Sequence, residues 1–471
     1  MCNSMISFLD APAIDYKKII MKMMIPVLNA DRIYLYPNNV SLYLKNNKSL
    51  IVSKDGWEIL KYCDGMKTID MIYDLLSIEN EIDKDGLINF ITIAHKKNII
   101  EFVDSFKKKD IKVFGDGRSI IPQFCSLELT DNCNLECNYC YGEFKRGKGN
   151  FFGIEDIKVL FDDLEKIGVL VVELTGGEPL LHPNFIEILK IALNKFETIT
   201  VLSNGVLFND EVIKIIQKYQ NKISIQISID GCSEETNFKV RRVSNTFEKT
   251  LNTLKRLRDI GANYTTVYMI TEENKHEIRS IFNLFRQERF TNLTLSKATP
   301  FGRGCDSMEC LVKKDDYEVN NTIIEVIKEY PDIISNKLSN QQDYYERGND
   351  ASKFAIYNCG VGWKLISIAS NGDVRSCSLL GNIGKIGNIF NQNIYEILNS
   401  EKGLFYMNFS KMRKEKICCD CAYKNDCAMC IVRIYGANRQ RLKDGVGLCE
   451  IAKKNKMDKY LDFQSDFKFS I

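Results

Sequence analysis

Phe124-Cys-Ser-Leu-Glu-Leu-Thr-Asp-Asn-Cys133-Asn-Leu-Glu-Cys137-Asn-Tyr-Cys140-Tyr141 is the stretch on which the reading of this chain turns. It opens with an apolar run, Phe124 to Leu129, that reads as a strand, and closes with three cysteines spaced C-x3-C-x2-C. Thiolates are soft ligands that suit iron–sulfur clusters. Three of them in so short a loop can wrap one corner of a cubane and leave its fourth iron without a protein ligand. An iron left open in this way is a reaction site, whereas a fully ligated cluster usually carries electrons. A structural zinc knuckle is the plainer alternative, but it wants a fourth Cys or His close by, and the whole chain has only 3 His.

The surroundings narrow the choice. With 471 residues the chain has room for two or three domains. Its apolar content of 45% and charged content of 27% are those of an ordinary globular protein, and its formal net charge is +2. Neither nucleic acid nor a membrane is therefore expected as a partner. Ile19-Ile-Met-Lys-Met-Met-Ile-Pro26 is the most apolar segment near the start, yet Lys22 interrupts it and Pro26 closes it. No signal or spanning segment is read there. Seventeen cysteines without a secretion signal point to metal ligation in a reducing, cytoplasmic setting. Three lie at 133–140, two at 359 and 377, and six between 418 and 449. The remainder (Cys2, Cys63, Cys125, Cys232, Cys305 and Cys310) are scattered, as small buried hydrophobes are.

Four segments follow from the patterning. In residues 1–112, Ile33–Tyr36 and Val40–Leu44 alternate as strands around the turn residues Pro37-Asn-Asn39. Trp57–Tyr62 reads as a helix, Thr68 is placed to N-cap a second over Ile69–Leu76, and a third lies around Ile88–Lys97 before a strand at Ile99–Val103. This order suggests a winged-helix module. Its mixed charge makes it a poor binder of DNA. In residues 118–310, five further strand-like runs (Leu170–Leu174, Thr198–Leu202, Ile223–Ile229, Tyr264–Ile270 and Asn292–Ser296) alternate with amphipathic stretches at Ile154–Ile167, Phe185–Lys195, Asp210–Tyr219 and Phe247–Ile260. With the strand bearing Leu127 they make six βα units, an α/β fold of the partial (β/α)6 barrel kind with active residues at the C-terminal strand ends. Residues 311–354 read as a helical connector. Residues 355–471 are Cys-rich, with poor periodicity, and owe their fold to metal more than to a large core.

The strand ends carry the other polar motifs. The second strand runs into Thr175-Gly-Gly-Glu-Pro179, where Gly176 and Gly177 let a ligand approach the backbone and Glu178 offers a carboxylate to an ammonium group. The third ends in Ser203-Asn204-Gly205 and the fourth in Ser228-Ile-Asp230-Gly231, groups able to hydrogen-bond a ribose. Arg241 follows, suited to a carboxylate. Toward the C-terminus come Cys359, Gly372 and Cys377, then Cys418-x2-Cys421-x5-Cys427-x2-Cys430, and finally Cys449.

These motifs resemble the radical S-adenosylmethionine (SAM) superfamily, and within it the members that carry a C-terminal SPASM domain. The resemblance implies that Cys133, Cys137 and Cys140 hold a [4Fe–4S] cluster whose open iron binds SAM, and that Tyr139 packs against the adenine. It implies Gly176, Gly177 and Glu178 at the SAM amine, Ser203, Asn204, Ser228 and Asp230 at the ribose, and Arg241 at the carboxylate. It also implies two auxiliary [4Fe–4S] clusters, one on Cys418, Cys421, Cys427 and Cys449, the other on Cys359, Cys377 and Cys430. Here the sequence departs from the family spacing: one residue is missing before Cys430, the second cluster has three nameable ligands, and Cys419 competes with Cys418.

The N-terminal stretch Ser53-Lys-Asp-Gly-Trp-Glu-Ile-Leu-Lys-Tyr-Cys-Asp-Gly65 with Thr68 resembles the leader-binding element of enzymes that mature ribosomally made peptides. Leu127–Thr130, Phe301-Gly-Arg-Gly304 after Pro300, and Asn358-Cys-Gly with Trp363 and Lys364 are similar to the maturases that install sulfur-to-carbon thioether crosslinks, the sactionine and ranthipeptide type. The implied partners are a Cys-containing precursor peptide and a low-potential donor of the flavodoxin or ferredoxin class. A SPASM enzyme that forms carbon–carbon crosslinks or oxidises a Cys or Ser residue is the rival reaction. A non-catalytic peptide scaffold with structural clusters is the rival of another class.

Overall fold

The computed structural model describes residues 23–36, 39–45, 49–78, 81–142, 144, 146–147, 149–299, 301–313, 316–335, 364–409, 418, 421–423 and 431–463. The chain divides into two compact units, Met1–Ile121 and Pro122–Ile471.

In the first unit β1 (Ile25–Leu28) pairs antiparallel with β5 (Ile100–Val103). A second sheet has the order β4-β3-β2-β6, with β2 at Ala30–Leu35, β3 at Asn39–Leu44, β4 at Ser49–Ser53 and β6 at Lys112–Phe114. Three helices lie between β4 and β5. Each starts at a side-chain cap: Ser53 for Lys54–Leu60, Thr68 for Ile69–Ser77 and Asp83 for Lys84–Lys96. Ile33, Leu42, Ile69, Ile72 and Ile91 meet in the core of this unit.

The second unit is built on one nine-stranded sheet. Six strands run parallel and lie side by side in chain order. They are β7 (Phe124–Glu128), β8 (Val171–Thr175), β9 (Thr198–Ser203), β10 (Ile223–Ile229), β11 (Tyr264–Ile270) and β12 (Leu293–Lys297). Parallel neighbours need long crossovers, and the helices Ile154–Lys166, Phe185–Lys195, Asp210–Lys218, Phe247–Asp259 and Ile278–Glu288 supply them. The Cys-rich segment joins the same sheet. β13 (Leu365–Ile368) pairs parallel with the free edge of β7, and β14 (Asp373–Arg375) and β15 (Lys385–Asn388) follow antiparallel. The connector contains one helix among the described residues, Tyr317–Glu329.

Strand residues alternate in burial. Ile199, Val201, Ile225, Ile227, Tyr268 and Ile270 are buried, and the helices Phe185–Lys195 and Phe247–Asp259 pack on β9 and β10. Between them on the strands lie Glu173, Thr200, Gln226 and Ser228, half-buried and mostly polar. The second set lines the face on which the site is built. The Cys-rich segment also encloses more core than its weak periodicity indicates: Leu380, Tyr406, Ile434, Tyr435 and Met457 are buried together.

Candidate functional site

The loop after β7 is held on three sides, and each anchor is a backbone group or a residue type that no other would replace well. Thr130 Oγ1 donates to the Asn150 carbonyl (2.6 Å) and accepts from Asn132 N (3.0 Å). The loop after β8 then docks on it backbone to backbone, Gly177 N to Thr130 O (2.8 Å) and Glu178 N to Asn132 O (2.9 Å). Gly176 has φ +131°, and a Cβ there would stand 2.3 Å from Thr130 O; at Gly177 it would stand 2.1 Å from Asn132 O. The two glycines thus serve the approach of one loop to the other. On the second side Glu136 N and Asn138 N donate to the carbonyls of Arg241 and Val240 (3.1 and 3.0 Å).

The third side comes from the turn after β12. Arg303 donates from Nε to Cys137 O (2.9 Å) and from Nη1 to Phe144 O (2.7 Å), while its own N–H reaches Cys140 O (2.9 Å). Gly302, at φ +53°, sits where a Cβ would lie 2.4 Å from Tyr141 O. Arg303 was visible in the sequence only as part of the Phe301–Gly304 resemblance; its function as a clamp needed the fold.

Cys133, Cys137 and Cys140 share one cluster with Leu135, Phe144, Tyr141 and Val243. Burial pushes the Cys133 thiol up to about 12 and raises Cys137 further, and the neighbouring thiols add to both. Such thiols ionise only when a cation is supplied with them. Among the described residues no three His, Cys, Asp or Glu side chains converge as they would on a single metal ion. A cubane asks for less convergence, because each thiolate binds a different iron. Three soft thiolates, each on a different iron, would leave the fourth iron open, so this donor set fits an iron–sulfur cluster.

Glu178 is fully buried, and its carboxylate accepts from Ser203 Oγ (2.8 Å), Asn204 N (2.9 Å) and Leu180 N (3.2 Å). Burial lifts it to about 7 against those hydrogen bonds. Ser203 and the Asn204 backbone are thereby occupied in orienting Glu178, and Asn204 Nδ2 reaches Asn134 Oδ1 (2.7 Å) within the cysteine loop. Asp230 accepts from Tyr139 Oη (2.9 Å) and Arg241 Nε (2.8 Å); Asp230 and Arg241 are buried and Tyr139 is half-buried.

Arg241 differs most from its expected place. Its remaining guanidinium donors go to the carbonyls of Ser228 and Asn204 and to Thr250 Oγ1, and its side chain is 1% exposed. A guanidinium with nearly every N–H occupied internally fits a carboxylate ligand poorly; here it ties β9, β10 and the helix Phe247–Asp259 together. Ser228 is half-buried on the polar face, and its carbonyl takes the Arg241 contact.

In the C-terminal part, Cys377, Cys418 and Cys449 lie against one hydrophobic core. Cys449 Sγ accepts from Asn438 Nδ2 (3.5 Å) and Ala452 N (3.4 Å), donors that suit a ligating thiolate. Cys421 N reaches Cys418 O (3.4 Å). Cys359, Cys419, Cys427 and Cys430 lie outside the described residues.

Comparison with known proteins agrees with this geometry. Residues 127–285 match the Radical SAM superfamily, and residues 359–428 match the SPASM iron–sulfur cluster-binding domain. The chain thus carries a radical SAM region followed by a SPASM region. It is 28% identical over 457 residues to the antilisterial bacteriocin subtilosin biosynthesis protein AlbA of Bacillus subtilis, covering 93% of the chain and 98% of AlbA. It is 24% identical to the sporulation killing factor maturation protein SkfB of the same organism, over 72% of the chain and 76% of SkfB. Its fold is that of Streptococcus suis SuiB bound to S-adenosylmethionine, with a TM-score of 0.61 at 15% identity over 90% of the chain and 99% of SuiB. No helix among the described residues is long and apolar enough to cross a membrane.

Proposed function

We propose that this chain matures a ribosomally made precursor peptide, using SAM to install a thioether between a Cys sulfur and a carbon of another residue. One observation carries the reading: the likeness to AlbA spans 93% of the chain, so it takes in most of the N-terminal unit as well as both cluster-binding regions. A SuiB structure bound to its precursor peptide SuiA, with the same fold, is consistent with a peptide substrate.

When bound at Cys133, Cys137 and Cys140, a reduced [4Fe–4S] cluster with SAM supplies a 5′-deoxyadenosyl radical able to remove a hydrogen atom from the peptide. The chain's own residues do the positioning. The docked Gly176-Gly177 loop fixes Glu178 beside the cysteine loop, Ser203 and Asn204 aim its carboxylate, and the Asp230–Arg241 pair holds Tyr139 in place. The N-terminal unit would take the leader along a sheet edge. Cys377, Cys418, Cys421 and Cys449, with Cys359, Cys427 and Cys430, would hold auxiliary clusters, two on the family pattern. A low-potential flavodoxin or ferredoxin would deliver the electron.

Replacing Cys133, Cys137 and Cys140 together by Ala tests the catalytic reading against a binding scaffold. Reconstituted anaerobically, the wild-type chain should release 5′-deoxyadenosine from SAM, and the triple variant none. Equal release by both would refute the assignment of the three cysteines.

A further inference from the structure

A register row crosses the polar face of the sheet from Ser224 through Thr200, Glu173 and Ser126 to Ser367 and Arg375. Glu128 lies two residues beyond Ser126 on the same face of β7. In the middle of the row the polar groups are engaged: Ser126 Oγ donates to Glu173 Oε1 at 2.7 Å. At the β13–β14 end they are not. Ser367 Oγ, Arg375 Nε and Glu128 Oε1 are buried atoms with no hydrogen-bond partner among the described residues. Glu128 and Ser367 are 2% and 1% exposed. A single long contact, Arg375 Nη1 to Glu128 Oε2 at 3.5 Å, joins the charged pair and leaves one donor and one acceptor open.

Leaving three such atoms unmatched side by side is unfavourable by the usual desolvation penalty, and a ligand that matches them removes it. The open set is one acceptor and two donors beside an ion pair already balanced in charge. A group with one N–H, one C=O and no net charge fits that set, whereas a carboxylate or an ammonium would leave an excess buried charge. The chain also connects this spot to both cluster regions. Glu128 leads into the loop that ends at Cys140, and Arg375 comes just before Cys377. Tyr141, next to Cys140, lies near enough to Glu128, Glu173 and Arg375 for their charges to act on its hydroxyl.

We propose that Glu128, Arg375 and Ser367 form a subsite that binds a backbone amide of the substrate peptide, Glu128 Oε1 accepting its N–H while Arg375 Nε and the Ser367 hydroxyl donate to its carbonyl. The subsite rests on the peptide-maturase reading above and adds to it the residues that hold the segment being modified.

Steady-state kinetics on the full reconstituted chain test it, with a Cys-containing precursor peptide, leader and core together, as the probe. Ser367→Ala removes a hydroxyl that holds nothing inside the ligand-free chain, so the variant should fold and load iron as the wild type does. Its KM for the peptide should rise roughly three- to tenfold, the worth of one hydrogen bond. Arg375→Gln should raise KM by about tenfold or more, because the donor was part of a charge. The Kd for SAM alone, from equilibrium dialysis, should stay within about twofold for Ser367→Ala. An unchanged peptide KM in Ser367→Ala would overturn the subsite even if Arg375→Gln fails to fold. So would a loss of SAM affinity that accounts for the whole effect. A wild-type chain that binds SAM but never converts the peptide would instead overturn the maturase reading, and the subsite with it.

Discussion

Replacing Gly177 by Ala puts a methyl group 2.1 Å from Asn132 O and 3.0 Å from Cys133 N. Ordinary contact begins near 3.4 Å, so the two loops must part by about 1 Å, and an overpacked contact of that size costs about 1–3 kcal/mol. The parting also stretches Gly177 N to Thr130 O and Glu178 N to Asn132 O, now 2.8 and 2.9 Å, past hydrogen-bonding length. Those two bonds add about 1 kcal/mol each. The strain falls between the segment that carries Cys133 and the one that carries Glu178, so cluster and SAM should feel it together. Iron and SAM affinity of the anaerobically reconstituted variant are the assay. Bound iron should fall, and the Kd for SAM should rise by about tenfold or more, the equivalent of about 1.4 kcal/mol. Wild-type iron content together with wild-type SAM affinity would refute the claim that the glycines exist to let the loops dock.

Three further predictions concern the buried charges. With Glu178 lifted to about 7, the carboxylate proposed as the acceptor for SAM forms as pH rises. SAM binding should therefore tighten by about tenfold from pH 6 to 8 and level off above, a slope that Glu178→Gln abolishes; a flat profile in the wild type would refute this. Folding without SAM has the opposite sign. The stability held by protonated Glu178 is complete below the ordinary carboxylate range and is lost as pH rises through about 7, which pH-dependent unfolding of the ligand-free chain reports. Asp230→Asn leaves the Arg241 guanidinium buried and unpaired, so denaturant unfolding should show a loss of about 3–5 kcal/mol. A loss below about 1 kcal/mol would show that Arg241 has other anchors enough.

Much of the fold was legible because its signals are local. β7 to β12 announce themselves as apolar runs between amphipathic helices, and the cysteine spacing and Gly176-Gly177-Glu178 are short motifs at strand ends. Thr68 was readable as a cap because capping is decided within a single turn, and Met71 N does meet its hydroxyl (3.3 Å). What sequence reading missed depends on distant partners. β13 completes the sheet against β7, more than two hundred residues earlier in the chain, and no local pattern names that partner. The docking role of Gly176 and Gly177 went unread for the same reason. A glycine freed for a ligand and one freed for another loop look alike until Asn132 O is seen against it. Arg241 reads as a ligand-binding arginine from its position after the fourth strand. Only the structure shows Ser228 O, Asn204 O, Thr250 and Asp230 taking its donors. Of the proposed auxiliary ligands, Cys377, Cys418 and Cys449 lie against one core, while Cys359, Cys427 and Cys430 lie outside the described residues.

The most direct measurement is the mass and thiol reactivity of the peptide product. The reconstituted chain is incubated anaerobically with SAM, a low-potential reductant and the precursor peptide, and the product is treated with an alkylating agent. Thioether formation removes two hydrogens per crosslink and leaves the joined cysteine unable to alkylate. A product lighter by two hydrogens whose cysteines all still alkylate would contradict the thioether assignment and favour a carbon–carbon crosslink. An unmodified peptide despite SAM binding and an intact cluster would contradict the maturase function itself.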